Sequence, residues 1–125
     1  MATVVVLDDD DFVRRFVCKL LQMFGHHVLA YSDAQPALDE VDFDEVDSVI
    51  TDLQMPTPGE VAIKTIRERG FDVPIVVMSG HVAPEKVDYY IEIGAQSILL
   101  KPFTIDNFWK INGAWIPKIG NQKVV

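Results

Sequence analysis

A chain of 125 residues, 49% of them hydrophobic and 24% charged, is the size of one ordinary domain and can bury a core without disulfides. Cys18 is the only cysteine, which excludes an intrachain bridge, and a formal net charge of −8 argues against the phosphate neutralisation that direct nucleic-acid binding requires. No stretch approaches the roughly 20 apolar residues of a spanning helix, and Met-Ala-Thr lacks the basic start of a signal peptide, so the expectation is a cytoplasmic protein with no membrane partner.

The apolar run Val4–Leu7 has the β-branched character of a strand buried on both faces of a parallel sheet. Phe12, Val13, Phe16, Val17, Leu20, Leu21 and Phe24 then recur at helical spacing and predict one apolar stripe, stopped by Gly25. Val28–Ala30 is a short second strand. Ser32 or Asp33 can cap a second helix, with Pro36 in its first turn. The acidic stretch from Asp39 to Asp47 reads as a solvated face.

Ser48–Thr51 forms a third strand ending at Asp52, followed by a loop through Pro56, Pro58 and Gly59. A third helix spans about Glu60 to Arg69, strand four Pro74 to Met78, and helix four Pro84 to Ile93. Ile98–Leu100 is strand five, followed by Lys101–Pro102, and a last helix begins near Thr104 or Ile105 and packs Ile105, Phe108 and Trp109 inward. Five strand–helix repeats imply an α/β domain with a doubly wound, five-stranded parallel sheet and helices on both faces. The domain covers residues 1–125, with a core to about residue 112 and a tail over 113–125. In that tail Trp115, Ile116 and Ile119 are read as folding back on the domain rather than forming an exposed patch.

Open parallel sheets bind ligands at the carboxyl ends of their strands. Here those ends carry Asp8 and Asp9, Asp52, Ser79 and Lys101. Three carboxylates gathered at one edge repel each other unless a cation intervenes. Mg²⁺ suits one or two carboxylates together with water and a phosphate, and a carboxylate is a competent nucleophile toward phosphorus. Positioning and charge neutralisation are most of what such a transfer needs.

Leu7-Asp8-Asp9-Asp10, Thr51-Asp52-Leu53-Gln54-Met55-Pro56, Val77-Met78-Ser79-Gly80 and Lys101-Pro102-Phe103 resemble, in order and spacing, the signature segments of response-regulator receiver domains. The resemblance implies a flavodoxin-like (βα)5 fold and a phosphoryl group accepted on Asp52 from a sensor histidine kinase. It implies Mg²⁺ held by Asp8, Asp9, Asp52 and the backbone carbonyl of Gln54. Ser79 and Lys101 would meet the phosphoryl oxygens, and the Lys101–Pro102 peptide would be cis. The domain would assist its own modification without being a turnover enzyme. The surface of helix four, strand five and helix five would serve a downstream protein, an output domain or a homodimer partner.

Two features depart from that family. The Met55–Gly59 loop is one residue short and carries the extra Pro58, and Ile98 stands where relatives carry a mobile aromatic, which predicts an altered route from site to surface. His26 and His27 are read on opposite faces of a strand and not as metal ligands. His81 is either a solvent-facing loop residue or a tuner of dephosphorylation. Cys18 reads as an incidental thiol off the apolar stripe. A haloacid-dehalogenase-type phosphatase would explain Asp9-Asp10-Asp11-Phe12-Val13 but leave Asp52, Ser79 and Lys101 without roles. A calcium loop fails because Val13 occupies its obligatory glycine position. The remaining alternative is a pseudo-receiver, an interaction module that no longer takes a phosphoryl group.

Overall fold

Val4, Val5, Val6 and Leu7 are fully buried, as a strand flanked on both sides and covered on both faces must be. The computed structural model describes residues 1–116. In chain order its elements are β1 (Thr3–Leu7), α1 (Asp11–Met23), β2 (His27–Tyr31), α2 (Ala34–Glu40), a 3₁₀ turn (Phe43–Glu45) and β3 (Ser48–Thr51). They continue with α3 (Gly59–Glu68), β4 (Ile75–Ser79), α4 (Pro84–Glu92), β5 (Ser97–Leu100) and α5 (Ile105–Asn112). The strands form one parallel sheet in the order β2-β1-β3-β4-β5. The expected doubly wound α/β fold is what forms.

The chain reverses its winding direction between β1 and β3, the place where such sheets open a crevice. Register makes that crevice specific. Leu7 lies opposite Thr51 and Ser79 opposite Leu100, so Asp8, Asp52 and Lys101 each follow directly on a strand end along one edge. Asp52 N–H donates to the Leu7 carbonyl at 2.8 Å and Lys101 N–H to the Ser79 carbonyl at 2.7 Å, extending the ladders into the site. The helix entries follow their cap residues: Asp10 accepts from Val13 N–H, Asp33 from Gln35 N–H and Thr104 from Asn107 N–H. Gly25, Gly70 and Gly94, just beyond α1, α3 and α4, adopt φ of +85°, +88° and +128°.

The two sheet faces bury separate apolar clusters. One gathers α2, the 3₁₀ turn and α3 over Val5, Leu7, Val49, Ile75 and Val77. The other gathers α1 and α5 over Val4, Val6, Ile50, Val76, Met78 and Leu99. Burial of this apolar surface is the main force holding the sheet to its helices.

Four readings of the sequence change here. The stripe of α1 is two adjacent rows, and only Val17, Leu20 and Leu21, with the partly buried Val13 and Phe24, face the sheet. Phe12 and Phe16 sit about 100° around the helix from that row and remain 69% and 38% exposed. Ile105, at the first turn of α5, is half exposed, while Phe108, Trp109 and Asn112 face inward. Cys18 is partly buried against the α1–α5 cluster, not detached from it. Finally, Trp115 packs on that cluster and Ile116 is fully buried in it, so the core runs past residue 112 and the tail folds back as expected that far. Ile119 lies outside the described residues. The acidic residues from Asp39 to Asp47 are exposed as anticipated. His26 lies just before β2, buried, with Nδ1 accepting from Ala2 N–H at 2.9 Å, while His27 is exposed.

Candidate functional site

Asp8, Asp9 and Asp52 each place a carboxylate oxygen within 4.8 Å of the other two. Their burial differs sharply. Asp8 is fully enclosed, Asp52 is 7% exposed and Asp9 faces solvent. Asp8 Oδ2 takes the Lys101 ammonium at 2.8 Å and Oδ1 accepts from Asp10 N–H at 2.9 Å, so the deepest carboxylate is fully partnered. Arg14 donates to the Asp8 backbone carbonyl at 2.8 Å, tying the first turn of α1 to the same corner. Lys101 Nζ also reaches Asp52 Oδ2 at 3.4 Å, and Asp52 Oδ1 accepts from Leu53 N–H at 2.7 Å.

With all four groups ionised, three carboxylates face one ammonium, leaving two uncompensated negative charges. Burial, and then the neighbouring Asp8, push the Asp52 carboxyl above its ordinary value. Lys101 and the amides of Leu53 and Gln54 oppose them without prevailing. Burial by itself would pull the Lys101 ammonium down, but its bond to Asp8 and the charges of Asp52 and Asp8 together raise it. A cluster of hard oxygen donors short of positive charge fits a divalent ion of the Mg²⁺ class.

Asp9, Asp10, Asp52, Gln54, Ser79, Gly80, His81 and Lys101 line a hollow of about 370 Å³ above this cluster. Ser79 is buried, its hydroxyl donating to the His81 carbonyl at 3.1 Å and accepting from His81 N–H. The structure therefore brings together every residue singled out at the strand ends, with Asp8 beneath the hollow and Asp9, Asp52, Gln54, Ser79 and Lys101 around it. The Lys101–Pro102 peptide is cis, as the resemblance implies.

The compact Met55–Gly59 loop closes against the site. Gly59 N–H donates to the Leu53 carbonyl at 3.0 Å, and a Cβ at Gly59 would overlap the Asp52 carbonyl oxygen, so glycine is required by close approach. Asp33 pins the same loop, accepting from Thr57 N–H at 2.7 Å and from the Thr57 hydroxyl at 2.8 Å. That tie spans 24 residues and has no local sequence signal. Sequence reasoning also missed an apolar hollow of about 260 Å³ lined by Phe12, Val13, Phe16, Pro102, Phe103 and the Lys101 stem. Its signal was the second apolar row of α1.

Three comparisons bear on this arrangement. The sequence matches the response regulator receiver domain family over residues 4–111. It is 30% identical to Transcription factor SKN7 of Candida albicans over 109 residues, 86% of this chain and 20% of that protein. It is 31% identical to Response regulator MprA of Mycolicibacterium vanbaalenii over 104 residues, 82% of this chain and 45% of that protein. The chain thus spans less than half the length of these relatives. The Vibrio cholerae chemotaxis protein CheY4 superposes with a TM-score of 0.83 at 29% identity, covering 92% of this chain and 98% of that one.

Proposed function

The chain belongs to the response regulator receiver domain family of two-component systems, and from that premise we propose that Asp52 accepts a phosphoryl group from a sensor histidine kinase in a Mg²⁺-dependent transfer. The observation that carries this reading is the cluster of three carboxylates countered by a single lysine at the floor of one open hollow. An Asp52 carboxylate oxygen attacks phosphorus, the phosphorus–nitrogen bond of phosphohistidine breaks, and the donor ring, already protonated on its other nitrogen, leaves as neutral imidazole. Lys101, already 3.4 Å from Asp52, neutralises charge on the transferred group, and Ser79 leaves the His81 carbonyl to donate to a phosphoryl oxygen. Asp8, Asp9, Asp52 and the Gln54 carbonyl would hold the metal, which supplies charge neutralisation for the phosphoryl oxygens when bound.

The apolar hollow of Phe12, Phe16, Pro102 and Phe103 shares Lys101 with the acidic one, and it offers the kinase a contact beside the acceptor. The charge added at Asp52 would then bias a protein-interaction surface over α4, β5 and α5, where Val87, Ile91, Leu100 and Ile105 are exposed. A downstream protein, an output domain or a second copy of the chain would meet it. No described helix is long and apolar enough to cross a membrane, in keeping with a cytoplasmic setting.

Intact mass after incubation with acetyl phosphate tests the reading, with and without Mg²⁺, on the wild type and Asp52→Asn. One phosphoryl group gained only with Mg²⁺ and only by the wild type is the expected result. No gain, from this donor or from a histidine kinase, would leave the pseudo-receiver. A gain that survives in Asp52→Asn would mean a different nucleophile.

A further inference from the structure

The turn from Gln54 to Pro58 carries one of the proposed metal ligands on little support of its own. Pro56 and Pro58 lack an N–H, so between Met55 and Gly59 only Thr57 can donate from the backbone. Pro58 stands at the cap position of α3 and makes no side-chain cap bond, whereas α1, α2 and α5 each open on one. Of the five residues only Met55 is buried.

The support comes from Asp33, 24 residues earlier in the chain and just beyond β2. Its Oδ1 accepts from Thr57 N–H at 2.7 Å and its Oδ2 from the Thr57 hydroxyl at 2.8 Å, a two-point grip on one residue. The bond to its own helix, from Gln35 N–H to Oδ2, is 3.4 Å long and beyond the usual range. The carboxylate is therefore aimed at the turn, and its capping of α2 is the weaker of its two jobs. The feet of the turn are fixed elsewhere. Gly59 N–H donates to the Leu53 carbonyl at 3.0 Å, and Gln54 N–H reaches Asp52 Oδ1 only at 3.5 Å. Asp33 holds the crest.

We propose that Asp33 is a positioning residue for the acceptor site: through Thr57 it holds the turn that carries the Gln54 carbonyl at the rim of the acidic hollow. This rests on the reading of Asp52 as a Mg²⁺-assisted phosphoryl acceptor and adds to it a residue outside the hollow that governs its metal affinity. Gln54 lines the hollow and Asp33 does not. Mg²⁺ demands nearly ideal octahedral oxygen geometry, so a ligand carried on a loosened turn binds it poorly. Groups that fix the orientation of a ligand commonly govern about ten- to a hundredfold of metal affinity.

The experiment titrates the full chain with Mg²⁺ in the absence of any phosphodonor and follows the Leu53 and Gly59 amides by NMR. Asp33→Ala removes both bonds to Thr57 and should weaken Mg²⁺ about tenfold. Thr57→Val removes only the hydroxyl bond and should weaken it about two- to fivefold, with no further loss when added to Asp33→Ala. Asp33→Asn still accepts from Thr57 N–H and can donate to its hydroxyl, so it gives up the cap but keeps the tether. It should stay within about twofold of the wild type. Labelling of Asp33→Ala by acetyl phosphate should show a raised half-saturating Mg²⁺ concentration with a near-normal rate at saturation, a split that general loosening of the fold does not give. Wild-type Mg²⁺ affinity in both Asp33→Ala and Thr57→Val overturns the proposal. So does a loss in Asp33→Asn equal to that in Asp33→Ala, since the tether survives in the first. Should Asp33→Ala fold poorly, Thr57→Val and Asp33→Asn decide between them. A wild type that binds Mg²⁺ but takes no phosphoryl group refutes the acceptor reading and leaves the Mg²⁺ comparison to judge Asp33, whereas one that binds no Mg²⁺ overturns both.

Discussion

Replacing Asp52 with asparagine should stabilise the metal-free domain while abolishing its chemistry. The magnitude follows from the distances. At an effective dielectric of about 20, ionised carboxylates within 4.8 Å of each other repel by at least about 3.5 kcal/mol, and Lys101 at 3.4 Å returns about 5 kcal/mol to Asp52. These nearly cancel once Asp9 adds its own solvent-screened repulsion. Burial then tips the balance, as the upward displacement of the Asp52 carboxyl requires. Ionised Asp52 should therefore cost the fold about 1–2 kcal/mol at neutral pH, and Asp52→Asn should melt roughly 3–8 °C higher. The pH dependence has a definite sign. A carboxyl whose folded value is raised favours folding fully below its unfolded value near 3.8, and that contribution is lost as pH rises through the folded value. The advantage of Asp52→Asn should be full at pH 7.5 and shrink toward pH 4. Urea melts in EDTA across that range provide the assay, and saturating Mg²⁺ should stabilise the wild type more than the variant. A variant no more stable than wild type at pH 7.5, or a gap that does not close on acidification, would refute the electrostatic account.

Asp33→Ala should cost about 1–2 kcal/mol at pH 7, through loss of the α2 cap and both bonds to Thr57. Burial alone would raise the Asp33 carboxyl, but the donors of Thr57, Gln35 and Ala34 hold it low, so its contribution is present at neutral pH and lost as pH falls below about 3.8. The deficit of the variant in urea melts should narrow in that acidic window. Gly59→Ala drives a methyl into the Asp52 carbonyl and should lower stability by about 1–3 kcal/mol while slowing labelling by acetyl phosphate, measured by intact mass. Phe16→Asp should slow phosphotransfer from a histidine kinase at least tenfold yet leave labelling by acetyl phosphate unchanged; equal loss with both donors would exclude a docking role.

Most of the site was legible because a parallel sheet turns position along the chain into position in space. Each buried β-branched run ends at a defined edge, so Asp8, Asp52, Ser79 and Lys101 could be placed together before any distance was known. What resisted reading depends on angles about helix axes and on contacts between loops. Phe12 and Phe16 share the spacing of the buried row of α1 but sit one residue earlier, which is enough to turn them outward. Asp33 showed only its capping role, because its partner Thr57 arrives from another loop. The inward packing of Ile116 depends on how the chain turns after Asn112, where Ile116 N–H donates to the Asn112 carbonyl at 2.9 Å.

The same contrast separates the chemistry of this domain from its regulation. The phosphoryl acceptance proposed for Asp52 would need particular atoms, namely carboxylate oxygens, an ammonium and a hydroxyl, and residue identity at a strand end supplies them. Any response of α4 would depend instead on what the packing leaves unfilled beside it. Isoleucine at position 98 is unremarkable as a strand residue. As a departure from the family's aromatic it already predicted an altered route from site to surface, and the structure adds the hollow of about 320 Å³ that it lines beside α4. Filling that hollow with Ile98→Tyr should therefore wedge α4 toward α3 and weaken its response to phosphorylation, the opposite of restoring a lost switch. Exchange rates over residues 84–92 before and after phosphorylation decide between the two, since a restored switch would widen the difference and a wedge would erase it.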